Sequence, residues 1–258
     1  MARLEGKIAI VTGAGSRADG IGNGRAAAIV FAREGATVLA CDRDMEAVTG
    51  TQRMIEEEGG ICEVFVGDVT SFSDNERMVQ TALDKWGRVD ILHNNVGIEG
   101  AGTILDTDED AWDRVMDVNC KSMFLASKAA VPAMIAAGGG SIINVSSISA
   151  IRPRGLTPYT TSKGAVLALS RAMAIDHAAE GIRVNAVLPG PVYTPHVWAG
   201  GMTDELRARR KNASPLKKEG TAWDVAYAAL FFASDESRWV TGVEMCVDGG
   251  VTISSPAR

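Results

Sequence analysis

The sequence has few of the residues that build redox or metal sites. Its 258 residues include four cysteines and three histidines. The cysteines form no Cys-x-x-Cys motif, and no Cys/His spacing is typical of a metal ligand set. We therefore predict no metal site, and we interpret the cysteines as buried thiols in a reducing cytosol. The four lie far apart, at Cys41, Cys62, Cys120 and Cys246.

Long hydrophobic runs and positive net charge are also absent. No run of 18 apolar residues occurs, so we expect no transmembrane span. Residues 1–7 lead into a strand-like run without the hydrophobic region of a signal peptide, which predicts a cytoplasmic protein. The formal net charge of -6 argues against a surface that binds nucleic acid or an anionic membrane.

Short apolar runs alternate with segments of helical periodicity along the whole chain. Continuous apolar strands between helices predict a doubly wound, Rossmann-like α/β fold, with a parallel sheet of about seven strands and helices on both faces. No linker, repeat or change in composition divides residues 1–258, which predicts a single domain. The predicted strands are 7–12, 37–41, 61–66, 89–93, 141–146, 183–188 and 243–247. The main predicted helices are 21–34, 45–58, 73–86, 108–137 with a bend near Pro132, 159–180 and 221–233.

The first predicted strand runs directly into a glycine-rich turn, residues 13–24, and then into a helix. Glycines allow the backbone to approach a pyrophosphate, and a helix N-terminus supplies N–H groups and positive dipole. The position of this turn, after the first strand and before a helix, indicates a dinucleotide site.

An acidic residue follows the second predicted strand. The Asp42 carboxylate, roughly 20 residues beyond the turn, is placed to accept hydrogen bonds from the adenosine ribose hydroxyls. It would also repel a 2′-phosphate, which favours NAD over NADP. Arg43 and Arg17 argue for NADP instead, because the guanidinium of either residue would favour that phosphate. Asp68, after the third strand, is a candidate partner for the adenine amino group.

Tyr159 precedes Lys163 by four residues, so the two side chains lie one helical turn apart on one face. An ammonium beside a phenol favours the phenolate and should lower the phenol pKa towards neutrality. The pair therefore predicts a proton-transfer group that works at physiological pH. A serine pair, Ser146 and Ser147, lies at the end of the fifth predicted strand, shortly before the tyrosine.

Together these motifs resemble the short-chain dehydrogenase/reductase family over nearly the whole chain. The resemblance rests on the Thr12-Gly13 and Gly20-Ile21-Gly22 turn, Asn94-Asn95-Val96-Gly97, Asn119, Ser147 with Tyr159 and Lys163, Pro189-Gly190, Val240-Thr241-Gly242, and Val247-Asp248-Gly249-Gly250. Six residues separate Gly13 from Gly20, where the family has three, so the turn carries an insertion. Val96 also replaces the family's alanine.

The resemblance implies catalysis by Asn119, Ser147, Tyr159 and Lys163. The family's usual spacing of thirteen residues before the tyrosine would select Ser146, but the strand pattern of residues 142–147 favours Ser147. Asn119 would hold a water in a proton relay, and Lys163 would also hold the nicotinamide ribose. The expected cofactor is NAD, with NADP the less favoured alternative. The cofactor-binding residues expected on these grounds are Gly13, Ser16, Gly20, Ile21, Gly22, Asp42, Arg43, Asp68, Val69, Asn95, Val96, Gly97, Tyr159, Lys163, Pro189, Gly190, Val192 and Thr194.

The predicted activity is hydride transfer between NAD(H) and a small secondary alcohol or ketone. The alternative within the family is an NADP-dependent reductase of 3-oxoacyl thioesters carried on acyl carrier protein. A different class is a non-catalytic dinucleotide sensor, although such a protein would be expected to have lost Tyr159 or Lys163.

A long segment between the sixth strand and the last helix, about residues 191–220, is predicted to be a mobile substrate lid. Its basic run, residues 207–211, is interpreted as a solvated helix face. A homotetramer is expected from the resemblance and from the apolar residues 123–137. The residues predicted to line or approach the substrate pocket are Ser149, Ile151, Arg154, Val192, His196, Val197 and Trp198.

Overall fold

The fold alternates strands and helices through most of its length in the computed structural model, which describes residues 2–153 and 155–255. The strands are β1 (Ile8–Thr12), β2 (Thr37–Asp42), β3 (Cys62–Val66), β4 (Ile91–Asn94), β5 (Gly140–Val145), β6 (Ile182–Pro189) and β7 (Glu244–Val247). The helices are α1 (Asn23–Arg33), α2 (Met45–Glu57), α3 (Phe72–Trp86), α4 (Glu109–Met116), α5 (Ser122–Ala136), α6 (Thr157–Asp176), α7 (Pro195–Trp198), α8 (Asp204–Ala213) and α9 (Ala222–Ala233).

The seven strands form one parallel sheet in the order β3-β2-β1-β4-β5-β6-β7. All seven predicted strands are therefore confirmed, each within about two residues at either end. The order reverses direction at β1, because β2 lies on one side of it and β4 on the other. Ligands of open α/β sheets bind at such a switch point, beyond the carboxyl ends of the strands.

Successive residues of each strand alternate between two hydrophobic layers, because strand side chains point to opposite faces. In β1, Ala9 and Val11 pack into the layer that contains α1 and α9, with Phe31 and Phe232 fully buried. Ile10 belongs to the opposite layer, between the sheet and the helices α3 and α5. This burial on both faces explains why the strands are continuously apolar rather than alternating.

The helix predicted over residues 108–137 is interrupted, but not where the sequence suggested. Pro132 lies within α5, whereas a π-helical turn at Asp117–Lys121 separates α4 from α5. A π turn inserts one extra residue into the helical repeat and is frequent at functional sites. Periodicity of apolar residues alone did not reveal it.

The cysteines are only partly as expected. Cys41 and Cys62 are buried, but Cys120 is half-buried and Cys246 is exposed, and all four are free thiols. Within residues 2–153 and 155–255, no helix is long and apolar enough to cross a membrane.

Candidate active site

A cleft of about 720 Å³ opens at the carboxyl ends of the strands, on both sides of the switch point. Its walls come from the loops after β1, β2, β3, β4, β5 and β6, together with parts of α4, α6 and the segment beyond β6. Parallel strands bring these six loops to one edge of the sheet, so residues far apart in sequence meet there.

The glycine-rich turn forms one wall of this cleft. Gly13 adopts a left-handed backbone conformation (φ +65°), which favours glycine. A Cβ at Gly24 would lie 2.0 Å from the Gly13 carbonyl oxygen, so only glycine allows α1 to start this close to β1. The cap residue Gly22 has no side chain to bond the first N–H groups of α1, which leaves them for a ligand.

The register of this turn differs from the sequence prediction. Gly22, Asn23 and Gly24 line the cleft, whereas Gly20 and Ile21 do not. The insertion therefore extends to residue 21, and the glycine pair at the start of α1 comes two residues later than the motif suggested. Asn23 Oδ1 is buried and has no hydrogen-bond partner among the described residues, as is expected of an atom that meets a ligand.

Asp42 ends β2 at the far side of the same turn. Its Oδ2 accepts a hydrogen bond from the Gly15 amide at 3.0 Å, and its Oδ1 accepts one from the Asp44 amide at 3.2 Å. Asp44 in turn caps α2 by accepting a bond from Ala47 N at 3.1 Å. The Asp42 carboxylate is thus held in one orientation at the cleft, with Arg43 beside it.

The other end of the cleft contains Lys163, which α6 places beneath the end of β5. Its ammonium donates a hydrogen bond to the Val145 carbonyl oxygen at 2.9 Å. Burial lowers the Lys163 pKa to about 8. Tyr159 lies one turn earlier, with its ring centroid 5.9 Å from Lys163 Nζ. Both side chains line the cleft.

The two serines after β5 have different partners. Ser146 Oγ donates a hydrogen bond to the Lys163 carbonyl oxygen at 2.8 Å, which ties β5 to α6. Ser147 Oγ instead accepts a bond from the Ser149 amide at 3.1 Å, so its own proton is directed elsewhere. Both serines line the cleft, but the Ser146 hydroxyl proton is used in holding the fold together.

Asn119 lies in the π turn and is fully buried beside the cleft. Its Oδ1 accepts a bond from Ile98 N at 2.8 Å, and its Nδ2 donates to Ile98 O and to Ser162 Oγ, both at 3.0 Å. Ser162 Oγ donates onward to the Tyr159 carbonyl oxygen at 2.7 Å. Asn119 therefore links the loop after β4 to the helix that carries Tyr159 and Lys163.

The segment beyond β6 covers one side of the cleft. Tyr193 N donates to Gly220 O at 2.8 Å, which joins the two ends of the segment. The Arg207 guanidinium forms a bidentate ion pair with Glu219 and stacks 3.9 Å from the Tyr193 ring centroid. Residues 192–220 thus form a loop with a fastened base that carries α7 and α8.

His196, in α7, extends from this segment towards the loop after β4. Its Nε2 lies 3.7 Å from Glu99 Oε1. Burial lowers the His196 pKa, and the charges of Arg17 and Lys163 act in the same direction. The nearby Glu99 carboxylate acts in the opposite direction, so charges of both signs surround the imidazole.

The structure brings most of the predicted site residues into this cleft and leaves several outside it. Asn119 lies behind the wall rather than on it, and Ile151 and Trp198 do not line it. Arg154 lies outside the described residues. The predicted residues that do line the cleft are Gly13, Ser16, Gly22, Asp42, Arg43, Asp68, Val69, Asn95, Val96, Gly97, Ser147, Ser149, Tyr159, Lys163, Pro189, Gly190, Val192, Thr194, His196 and Val197.

Five charged residues of the cleft were not predicted from the sequence. They lie after β2, after β4, in α4, in the π turn and in α8, and are respectively Asp44, Glu99, Arg114, Asp117 and Arg210. Arg210 donates to Val192 O at 3.2 Å, so this residue does not belong to the solvated face expected of the basic run. The only sequence feature that could have indicated any of these residues is the position of Arg114 and Asp117, three residues apart and just before Asn119.

Comparison with known proteins agrees with this geometry. Residues 16–252 match the family profile described as enoyl-(acyl carrier protein) reductase. A 3-oxoacyl-[acyl-carrier-protein] reductase of Thermotoga maritima is 38% identical over 256 residues, which cover 97% of this chain and 100% of the relative. A crystal structure from Burkholderia xenovorans, described as a short-chain dehydrogenase/reductase, is 40% identical with a TM-score of 0.94 and covers 99% and 100% of the two chains. The chain belongs to the short-chain dehydrogenase/reductase family.

Other members of the short-chain dehydrogenase/reductase family show the range of substrates involved. A 7alpha-hydroxysteroid dehydrogenase of Clostridium sardiniense is 38% identical over 262 residues, which cover 99% of this chain and 97% of the relative. The protein is accordingly an oxidoreductase that acts on hydroxyl or keto groups, in a family that uses NAD or NADP.

Proposed function

We propose that the protein transfers a hydride between NAD(H) and a small secondary alcohol or ketone. The observation that carries the proposal is the convergence of Ser147, Tyr159 and Lys163 at one end of a cleft that has Asp42 at the other. The uncapped N-terminus of α1 and the close approach of Gly24 to Gly13 fit a dinucleotide between these two ends.

The reaction divides between the cofactor and the side chains. NAD(H) supplies the carbon that accepts or donates the hydride. In the oxidation direction, Tyr159 takes the hydroxyl proton of the substrate, while Ser147 donates a hydrogen bond to the substrate oxygen and stabilises its developing charge. Lys163 holds a positive charge that favours the Tyr159 phenolate and binds the nicotinamide ribose hydroxyls.

Asn119 has a positioning role in this proposal. Its side chain is fully engaged with Ile98 and Ser162, so it fixes the wall beside Lys163 rather than touching the substrate. A Cβ at Gly97, the residue before Ile98, would lie 3.2 Å from Lys163 Nζ and 3.5 Å from Asn119 Oδ1. We infer that Asn119 sets the position of this wall, and that any water of a proton relay is held by other groups.

We propose NAD as the preferred cofactor. The fixed Asp42 carboxylate stands where it would accept hydrogen bonds from the adenosine ribose and repel a 2′-phosphate. Arg17, one of the two candidate partners for such a phosphate, donates instead to Gly97 O on the opposite wall, at 3.3 Å. We therefore expect Arg43, which is next to Asp42 in the chain, to offset the Asp42 charge more than Arg17 does.

The second candidate is an NADP-dependent 3-oxoacyl thioester reductase. The similarity to the Thermotoga maritima reductase over the whole length of both chains favours it. Arg43 lines the cleft next to Asp42, and in this alternative its guanidinium would bind the 2′-phosphate.

A cofactor and substrate screen tests these proposals. Absorbance of the reduced nicotinamide would be followed with NAD and NADP against small secondary alcohols, ketones, a hydroxysteroid and a 3-oxoacyl thioester. Turnover of small alcohols with NAD supports the proposal, and turnover of the thioester with NADP supports the alternative. Dinucleotide binding without turnover of any substrate class would indicate a sensor.

We also propose a homo-oligomer, with a tetramer as the expected form. Large apolar side chains are exposed on the outer helices and near β7, including Phe124 and Ile135 of α5, Ile175 of α6, and Trp239. Exposed apolar side chains that lie together in one patch would mark a protein–protein contact. Light scattering that shows only monomer at micromolar concentration would contradict this assembly.

A further inference from the structure

The insertion in the glycine-rich turn carries Arg17 across the cleft. Arg17 belongs to the wall formed by the turn after β1, yet its Nη2 donates to the Gly97 carbonyl oxygen on the wall after β4. The contact is 3.3 Å long and solvent-exposed, so it is weak and easily exchanged for another acceptor. Any dinucleotide that lies between these walls passes beneath or beside this guanidinium.

The loop that bears Arg17 is held at its base. Arg25, a buried residue of α1, donates to Gly20 O at 2.7 Å, to Ala47 O at 2.9 Å and to Thr51 Oγ1 at 2.9 Å. Thr51 Oγ1 in turn donates to Ala14 O at 2.6 Å. Both ends of the insertion are thus anchored to α1 and α2, and this restricts where Arg17 can reach.

Arg17 has no ion pair with any carboxylate in the part of the chain that the structure describes. Its guanidinium has five N–H donors, and one weak contact leaves most of them for a ligand. The same cleft contains the uncapped start of α1, at Gly22 and Asn23. A guanidinium and uncapped helix N–H groups in one cleft suit a ligand that carries several negatively charged oxygens.

We propose that Arg17 binds the pyrophosphate of the dinucleotide and closes over it, so that the inserted loop retains the cofactor. This inference rests on the proposed function, because it takes the cleft to be the dinucleotide site. The Arg17–Gly97 contact is the closed form of the loop, and it opens when the dinucleotide enters or leaves.

The loop also contacts the segment that covers the substrate side. Gly20 has φ +121°, and a Cβ there would lie 3.3 Å from Pro195 Cγ and 3.7 Å from Trp198 Cζ2. Gly20 therefore packs against α7, the part of the covering segment that also carries His196. Gly20 is also the end of the loop that Arg25 anchors, so a disturbance at Gly20 would reach both Arg17 and α7 and would couple cofactor release to the position of the lid.

Arg17→Ala tests whether Arg17 closes over the pyrophosphate, an arrangement called the Arg17 clasp below. Arg17→Lys is the variant that keeps the charge. Arg53→Ala is the matched control, because Arg53 is exposed on α2 and does not line the cleft. NADH binding and dissociation would be measured by its fluorescence, without a substrate. We expect Arg17→Ala to raise both the Kd and the dissociation rate about tenfold, since bonds to charged groups contribute at this level. Arg17→Lys should lose less, and Arg53→Ala should match wild type.

Truncated ligands identify the part of the cofactor that Arg17 contacts. ADP-ribose contains the pyrophosphate without nicotinamide, whereas AMP contains a single phosphate. We expect Arg17→Ala to weaken ADP-ribose by the same factor as NADH and AMP by less. Unchanged affinity for NADH and ADP-ribose, with a higher KM for the substrate, would assign Arg17 to the substrate and overturn the proposal.

Failure of the proposed function and failure of the Arg17 clasp would give different results. If wild type binds neither NADH nor NADPH, the proposed function itself is wrong and the clasp falls with it. If wild type binds NADH and Arg17→Ala binds and releases it equally, only the clasp is wrong.

Gly20→Ala tests the coupling to α7. Gly59→Ala is its control, because Gly59 also has a positive φ (+81°) but a Cβ there would meet nothing within 4 Å. We expect Gly20→Ala, but not Gly59→Ala, to speed NADH release and to raise hydrogen exchange in residues 195–201. Equal NADH release and hydrogen exchange in the two variants would show that the loop and α7 are not coupled. The Arg17 proposal would then depend only on the Arg17 variants.

Discussion

The Lys163 ammonium donates a 2.9 Å hydrogen bond to the carbonyl oxygen of Val145, the last residue of β5. This bond fixes a buried cation at the carboxyl edge of the sheet, one helical turn from Tyr159. Because burial lowers the Lys163 pKa to about 8, the charge is present at neutral pH and disappears in mild alkali. The pH dependence of both activity and stability should therefore report on this residue.

Tyr159→Phe should abolish turnover while leaving NADH affinity nearly unchanged, because only the phenolic proton carrier is removed. General acid–base groups commonly contribute about 10²–10⁴-fold to the rate. Tyr193→Phe is a control, since Tyr193 packs against Arg207 and does not line the cleft. Steady-state rates and fluorescence titration check both variants. Retention of more than half the wild-type rate in Tyr159→Phe would end this assignment.

Lys163→Met should lose both rate and cofactor affinity, and the alkaline limb of its rate–pH profile should move to higher pH. The reason is that no ammonium remains to favour the Tyr159 phenolate. An unchanged profile with normal NADH affinity would remove Lys163 from the mechanism.

The same variant has a stability signature that needs no cofactor. The Lys163 pKa is lowered in the folded state to about 8, so between pH 8 and about 10.4 the unfolded chain binds more protons than the folded one. Wild-type stability should accordingly rise with pH across this window relative to Lys163→Met, by about 3 kcal/mol. Parallel urea unfolding curves at pH 7.5 and 10 measure the difference. Equal changes in the two proteins would mean that the cation is not buried.

Asp42→Asn should shift cofactor preference towards NADP, because it removes the charge that repels a 2′-phosphate. We expect wild type to prefer NAD by at least about tenfold in kcat/KM, which corresponds to about 1.4 kcal/mol. Asp42→Ala should weaken NAD further, since it also removes the acceptor for the Gly15 amide. Glu46→Gln, outside the cleft on α2, should leave the ratio unchanged. A wild-type preference for NADP would instead favour the thioester reductase.

His93 should make the protein acid-sensitive. Burial lowers its pKa to about 4, and its ring packs edge-on against Phe31 with 5.8 Å between centroids. The unfolded histidine binds a proton near pH 6.5, so stability that is fully present above this pH is lost as the pH falls towards 4. His93→Leu should lose about 3 kcal/mol less than wild type over this range. Denaturant unfolding at pH 7 and 4.5 measures this, and identical losses would exclude the histidine.

Residues 191–220 should act as a mobile lid that becomes ordered when cofactor and substrate bind. The Tyr193–Gly220 bond and the Arg207–Glu219 pair fasten its base, whereas Gly201 between α7 and α8 has φ +92° and no close neighbour for a Cβ. Hydrogen exchange in this segment should slow when NAD and a substrate analogue are both added. Strong and equal protection with and without ligands would indicate a rigid wall.

The sequence by itself determined the strand and helix order, because continuous apolar runs and glycine stops follow from local burial and backbone freedom. It also determined the Tyr159–Lys163 pair, since helical spacing places both on one face. Asp42 was also predictable from the sequence, because its position depends only on where the second strand ends.

Only the tertiary structure decided which atoms meet across the cleft. The start of α1 at Gly22–Asn23–Gly24 depends on the close approach of Gly24 to Gly13, which no local pattern encodes. The different partners of Ser146 and Ser147 depend on whether the Lys163 carbonyl lies within reach. The partners of Asn119 depend on the approach of Ile98 and Ser162 to the π turn. These are contacts between segments far apart in the chain, so they exist only once the sheet has brought its loops to one edge.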